Sequence, residues 1–240
     1  MKKARIICHR GDSIRAPENT FASLEGAVAL GAEVVEFDIH TSRDGVLYVI
    51  HDEAVDRTTN GTGLVAEMTS SELDALDAGS WFAPEFAGQR IPRLDAFLDA
   101  CVGRIVPYAE IKAADPGDVR DMLARRGLLR DAWTFSFDPA IRAETRARVP
   151  DFRRSVLYKH VGSVARAVEL EAAILEFHPE NLTEAVAAEA RAVGLVTQIF
   201  YAGNDPVVFE AAVRSGIEQM NIDEVDLFRQ VEQQINSVSG

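Results

Sequence analysis

From residue 94 onward the chain repeats one pattern: a short apolar run, then a longer segment with apolar residues at helical spacing. The pattern predicts strands over 105–112, 132–136, 154–158, 173–177, 195–200 and 218–222. Helices are expected over 94–101, 117–126, 139–149, 163–170, 183–193, 206–215 and 224–235. Such uniformly apolar runs suit strands buried on both faces, and an intervening helix is what joins parallel neighbours. A chain of this kind is an α/β protein with a parallel sheet.

The N-terminal part opens in the same way. Residues 5–8 form an apolar run, Pro17-Glu18-Asn19-Thr20 supplies a helix start, and Phe21, Leu24, Ala27, Val28 and Leu30 follow at helical spacing until Gly31. A second strand over 33–38 continues to Thr41 and meets Arg43-Asp44-Gly45. Asp-Gly between β-rich runs marks a hairpin, so residues 46–50 are expected to return antiparallel and carry His51 back to the level of Asp38. Without that return the parallel strands number eight, the count of a (β/α)8 TIM barrel. Residues 53–92 supply no barrel strand and are expected to be a small insertion after the second strand and its hairpin return. Within them Thr58 to Gly63 is loop, and Thr69-x-x-Glu72 forms a capping box. The 240 residues contain no Pro/Gly/Ser-rich linker, so a single domain over 1–240 is expected.

Charge narrows the partners. A formal net charge of -13, spread along the chain, repels nucleic acid and anionic membrane surfaces. No segment approaches the ~20 apolar residues of a membrane span, and the first residues turn polar too soon for a signal peptide. Cys8 and Cys101 lie in apolar patterns, as buried free thiols do. A cytoplasmic protein with a small-molecule partner and no stable membrane association is expected; the sequence sets no oligomeric state.

In a parallel barrel the chemistry lies at the C-terminal ends of the strands. There the sequence puts His9 and Arg10 after the first strand, Glu36 and Asp38 on the second, and Glu110 and Lys112 on the third, with His51 brought in by the hairpin. Alternation along a strand gives Glu36 and Asp38 one face, and Glu110 and Lys112 another. Three carboxylates without a cysteine describe a site for one hard divalent cation, Mg2+ or Ca2+, with Mn2+ as a further candidate. Internal salt bridges to Arg10 and Lys112 are the plainer explanation, but these residue types recur at consecutive strand ends. With Arg10 and Lys112 the cation makes a compact positive pocket in an acidic protein, suited to phosphate. Paired histidines beside it suggest general acid–base catalysis, one neutral and one charged. His40, His160 and His178 lack such company.

The strings HRGDSIRAPENT, EFDIHTSRDG, VIHDEAVDRTTNGTG and YAEIK resemble the glycerophosphodiester phosphodiesterases, in the same order across the first half of the chain. The resemblance implies a (β/α)8 barrel with an insertion after the HD dipeptide. It also implies hydrolysis of a glycerophosphodiester to glycerol 3-phosphate and an alcohol, by way of a cyclic phosphate or by direct attack of water. By resemblance His9 and His51 are the acid–base pair, and Glu36, Asp38 and Glu110 the metal ligands. Arg10 and Lys112 contact phosphate, and Glu18 and Asn19 support the site. The second half departs more: Ser136-Phe137-Asp138 matches, but a Trp-Thr element is here Phe200-Tyr201 and a closing Thr-Asp is Ile222-Asp223. These departures touch the leaving-group pocket rather than the proposed reacting groups. The alternatives are a lysophospholipase D on the same site and a non-catalytic barrel that binds metal and phosphate. The acidic surface disfavours the first and the retention of both histidines the second. A metal-assisted aldolase or lyase has no call for paired histidines around phosphate.

Overall fold

The computed structural model describes residues 3–238. Nine strands form one sheet: β1 (Arg5–Cys8), β2 (Val34–Thr41), β3 (Leu47–Val49), β4 (Val106–Ala113), β5 (Trp133–Phe135), β6 (Arg153–Leu157), β7 (Ile174–Phe177), β8 (Val196–Tyr201) and β9 (Gln219–Ile222). Eight of them close as a parallel barrel in the order β1-β9-β8-β7-β6-β5-β4-β2, with β1 also paired to β2, while β3 lies outside as the hairpin return. The fold is the (β/α)8 TIM barrel expected from the alternation. The helices are α1 (Phe21–Ala29), α2 (Ser70–Asp74), α3 (Leu94–Cys101), α4 (Pro116–Arg125), α5 (Pro139–Arg148), α6 (Tyr158–Val161), α7 (Val164–Glu169), α8 (Glu184–Ala192), α9 (Pro206–Ser215) and α10 (Val225–Val238). None is long and apolar enough to cross a membrane among the described residues.

The chain clusters into two compact units. One comprises β1 and the described residues from Arg153 onward. Here β9 lies between β1 and β8, with Arg5 opposite Gln219 and Gln198 opposite the same residue. Glu176 of β7 is level with Gln198, whose side-chain amide donates to it, so a polar layer crosses these strands. The apolar runs at 173–177 and 218–222 form β7 and β9. Tyr158, read as the last residue of a strand, instead opens the short α6, which stops at Gly162 in the left-handed region (φ 74°).

The other unit, His9–Phe152, holds β2 to β5. β2 is buried along nearly its whole length, so its β-branched and aromatic residues pack on both faces. It pairs in parallel with β4 from Val34 opposite Val106 to Asp38 opposite Glu110. β3 returns antiparallel along β2, and the Ile50 N–H donates to the Asp38 carbonyl at 3.0 Å. The insertion has a small core of its own, Tyr48, Ile50, Val55, Val65, Leu73, Ala78 and Ile91, so it is built onto the hairpin. The Thr69–Glu72 capping box opens α2 as expected, and the Tyr48 hydroxyl donates to Asp74 at 2.7 Å on the same helix.

The loop after β1 runs through two left-handed residues, Arg10 (φ 57°) and Gly11 (φ 80°). A side chain at Gly11 would have its Cβ only 2.6 Å from Ser23 Oγ and 2.7 Å from the Ser23 backbone carbon on α1. Gly11 therefore serves both the backbone turn and the close seat of this loop on the helix. Gly11→Ala is expected to lower unfolding free energy by on the order of 2–4 kcal/mol, from left-handed strain plus overpacking. Denaturant titration measures it, and an unchanged midpoint contradicts this account.

Candidate active site

The register between β2 and β4 creates the centre of the site. Glu36 and Asp38 point to one face of β2, and Glu110 lies beside Asp38 on β4. One oxygen from each of the three carboxylates lies within 4.8 Å of the other two. Glu36 and Asp38 are 2% and 1% exposed.

Cations and histidine close around them. Lys112 Nζ is 3.2 Å from Asp38 Oδ1 and also donates to Glu110. Arg10 Nε lies 3.5 Å from Asp38 Oδ2, and Arg10 Nη1 donates to Glu18 at 3.0 Å. The turned backbone matters too: the Arg10 N–H donates to Glu36 Oε2 at 3.0 Å, and His9 Nε2 is 4.0 Å from the same oxygen. Asn19, itself left-handed (φ 57°), donates from Nδ2 to Asp38 Oδ2 at 2.8 Å.

His51 enters from the hairpin. Its Nδ1 is 2.6 Å from Asp52 Oδ1, and its carbonyl is 3.1 Å from His40 Nε2. Asp52 and Glu18 are joined by Arg57, which donates to both. All nine residues singled out in the sequence therefore fall in one unit and one contact network. His9, Arg10, Glu18, Asn19, Glu36, Asp38, Glu110 and Lys112 meet around the carboxylates, and His51 joins through Asp52 and Arg57. The two connectors escaped sequence reasoning. Asp52 had a signal as the neighbour of a candidate histidine, whereas Arg57 is a lone loop arginine whose partner Glu18 lies 39 residues away.

Burial and crowding set the electrostatics. Glu36 is pushed well above the ordinary carboxylate range by burial and by repulsion from Asp38 and Glu110. Glu110 is pushed up to about 7 by burial and by Asp38. Burial works against Asp38 as well, but Lys112 and Arg10 outweigh it and hold that carboxyl below its usual range. Burial holds His51 below the usual histidine range against the opposing pull of Asp38 and Asp52. The Arg57 guanidinium holds Asp52 far down.

The donor set fits a hard divalent cation. It offers three clustered carboxylates and no sulfur, and Glu36 Oε1 is buried without a hydrogen-bond partner among the described residues. An ion there would satisfy that oxygen and relieve the repulsion that raises Glu36 and Glu110.

Acids, bases and cations carried together towards the C-terminal ends of parallel strands are the arrangement of a barrel enzyme. The profile of the glycerophosphoryl diester phosphodiesterase family matches residues 9–221, and the chain belongs to that family. A glycerophosphodiester phosphodiesterase from Caldanaerobacter subterraneus is 53% identical over 92 residues, which are 38% of this chain and 38% of that protein. The chain spans less than half the length of the curated relatives it matches. Over almost the whole chain it resembles the crystal structure of a glycerophosphodiester phosphodiesterase from Agrobacterium tumefaciens, with a TM-score of 0.90, 40% identity, and 94% and 99% of the two chains covered. A phosphodiesterase from Oleispira antarctica, solved with the product sn-glycerol-3-phosphate, has a TM-score of 0.84 and 26% identity over 95% and 96% of the chains.

Protons and a bound cation would compete for the same oxygens. With Glu110 at about 7 and Glu36 raised, a divalent ion held there would displace protons at neutral pH, so its affinity is expected to rise with pH through 7 and fall below it. Calorimetric titration with Mg2+ or Ca2+ in buffers of different ionisation enthalpy is expected to reveal proton release that diminishes at higher pH. Affinity independent of pH, with no release, contradicts it.

Proposed function

We propose that the protein hydrolyses glycerophosphodiesters to sn-glycerol 3-phosphate and an alcohol. The observation that carries this reading is the buried carboxylate cluster with Arg10, Lys112 and His9 against it and His51 linked to them. Membership of the family and the glycerol phosphate product held by the Oleispira antarctica relative support the substrate class.

Glu36, Asp38 and Glu110 would hold the divalent cation. When bound, the ion neutralises the cluster and polarises a phosphoryl oxygen. Arg10 and Lys112, beside the cluster, are placed to contact the phosphate, Arg10 with a planar fork and Lys112 as a point charge. Asn19 keeps Asp38 oriented. Glu18 holds Arg10 from the side away from the cluster, which limits the rotamers of its long side chain.

His9 and His51 move the protons. One imidazole, neutral, accepts the proton of the glycerol 2-hydroxyl as its oxygen attacks phosphorus; the other, protonated, gives its proton to the departing alcohol oxygen. The product of this step is a cyclic phosphate. Water then opens the ring with the roles reversed: the second imidazole takes a proton from water and the first returns one to the 2-oxygen. Each residue ends as it began. Because Asp52 faces His51 Nδ1, the neutral form of His51 carries its proton on that nitrogen and leaves Nε2 free for the reaction.

The test is release of sn-glycerol 3-phosphate from diesters of choline, ethanolamine and glycerol, with Mg2+, Ca2+ or a chelator. Cation-dependent release is expected, and His9→Ala and His51→Ala are each expected to cut kcat by about 10²–10⁴-fold with folding intact. Near-normal turnover in either variant removes that histidine from the mechanism. Glu36→Gln is expected to raise the cation concentration needed for half-maximal activity; full activity at the same cation concentration contradicts its assignment as a ligand.

A further inference from the structure

Arg57 stands in an unusual position for a loop side chain that is 45% exposed. Its Nη1 and Nη2 donate to the two oxygens of Glu18, each at 2.8 Å. Its Nε donates to Asp52 Oδ2 at 2.6 Å, and Nη2 also reaches Asp52 Oδ1 at 3.0 Å. One guanidinium thus grips two carboxylates at once. Each of those carboxylates holds a residue of the proposed reaction: Glu18 accepts from Arg10, and Asp52 faces His51 Nδ1.

We propose that Arg57 is a positioning residue that orients His51 through Asp52 and ties it to Arg10 through Glu18. The argument is geometric. An aspartate side chain turns freely about its last bond, so a contact to one oxygen does not fix the carboxylate plane. Arg57 holds Oδ2 with Nε and reaches round to Oδ1, which fixes that plane and leaves Oδ1 directed at Nδ1. The other side of the fork rests on Glu18, whose neighbour Asn19 is bonded to Asp38 in the carboxylate cluster. The imidazole is in this way aligned to the same frame as the phosphate-binding groups. The loop carrying Arg57 is itself pinned, since Thr59 Oγ1 donates to the Val55 carbonyl at 2.7 Å and accepts from the Gly61 N–H at 3.0 Å. A two-carboxylate fork of this kind can add to stability as well as to orientation, so melting temperature and the His51 signal are read together.

The inference rests on the proposed hydrolysis, and a second readout separates the two. Arg57→Gln and Arg57→Lys are compared with the unmodified protein in kcat and KM for glycerophosphocholine, in thermal melting, and in the imidazole region of proton–nitrogen NMR spectra. Arg57→Gln is expected to lower kcat by about 10–100-fold, the usual effect of removing an outer partner of a site group, with KM changed little. The signal of the His51 Nδ1 proton is expected to shift or broaden while the melting temperature holds. Arg57→Lys keeps the charge without the fork and is expected to recover only part of kcat; it also carries the comparison should the glutamine variant fail to fold. An unshifted His51 signal with kcat within twofold of the unmodified protein overturns the proposal. So does a fall in kcat that merely follows a fall in melting temperature. If the unmodified protein releases no product, the reaction fails, and the NMR comparison still decides whether Arg57 orients His51.

Discussion

Three acidic side chains forced together out of water are the constraint on which the site depends. Glu36, Asp38 and Glu110 share their position because β2 and β4 run in parallel and in register, and that register is held by backbone hydrogen bonds and buried apolar faces. The backbone thus imposes a cost that the side chains alone would avoid by moving apart. Lys112, Arg10, the Arg10 N–H and Asn19 each offset part of it, yet among the described residues one Glu36 oxygen has no hydrogen-bond partner. The remaining deficit is what makes the place attractive to a divalent ion.

The positive side of the site is assembled differently. Lys112 stands on β4, but the other groups come from turns whose backbones adopt the left-handed region, as at Arg10, Gly11 and Asn19. Because the Arg10 turn lies against α1 and accepts the Asn19 N–H on its own carbonyl, the two left-handed residues support one another. Strands supply the charge that must be held together, and one strand lysine and the turns together supply the charge that answers it.

Much of this was legible in the chain. The barrel followed from period alone, since strands buried on both faces and separated by amphipathic helices admit few other arrangements. Glu36 with Asp38, and Glu110 with Lys112, could be placed because a strand's period of two fixes which residues share a face. His51 could be placed because Asp44-Gly45 leaves too few residues for anything but a hairpin. Arg57 could not, because its role depends on two carboxylates brought together by the path of a loop, and loops have no period. The start of α6 at Tyr158 was hidden for a related reason: Arg153 to Leu157 and Tyr158 to Val161 form one run in which a strand passes directly into a helical turn without a punctuating residue.

The insertion's separate core has a consequence for how the site fails. Val55, Val65, Leu73 and Ile91 pack with Tyr48 and Ile50, so the segment bearing His51, Asp52 and Arg57 draws on a small apolar cluster while Glu36, Asp38 and Glu110 sit on buried barrel strands. Units with few buried contacts open before larger ones. Under thermal or chemical stress the segment carrying His51, Asp52 and Arg57 is expected to come apart first, while His9 and the carboxylate cluster keep their places. A molecule in that condition would keep its barrel and its carboxylate cluster while losing the frame that holds His51 against Asp52.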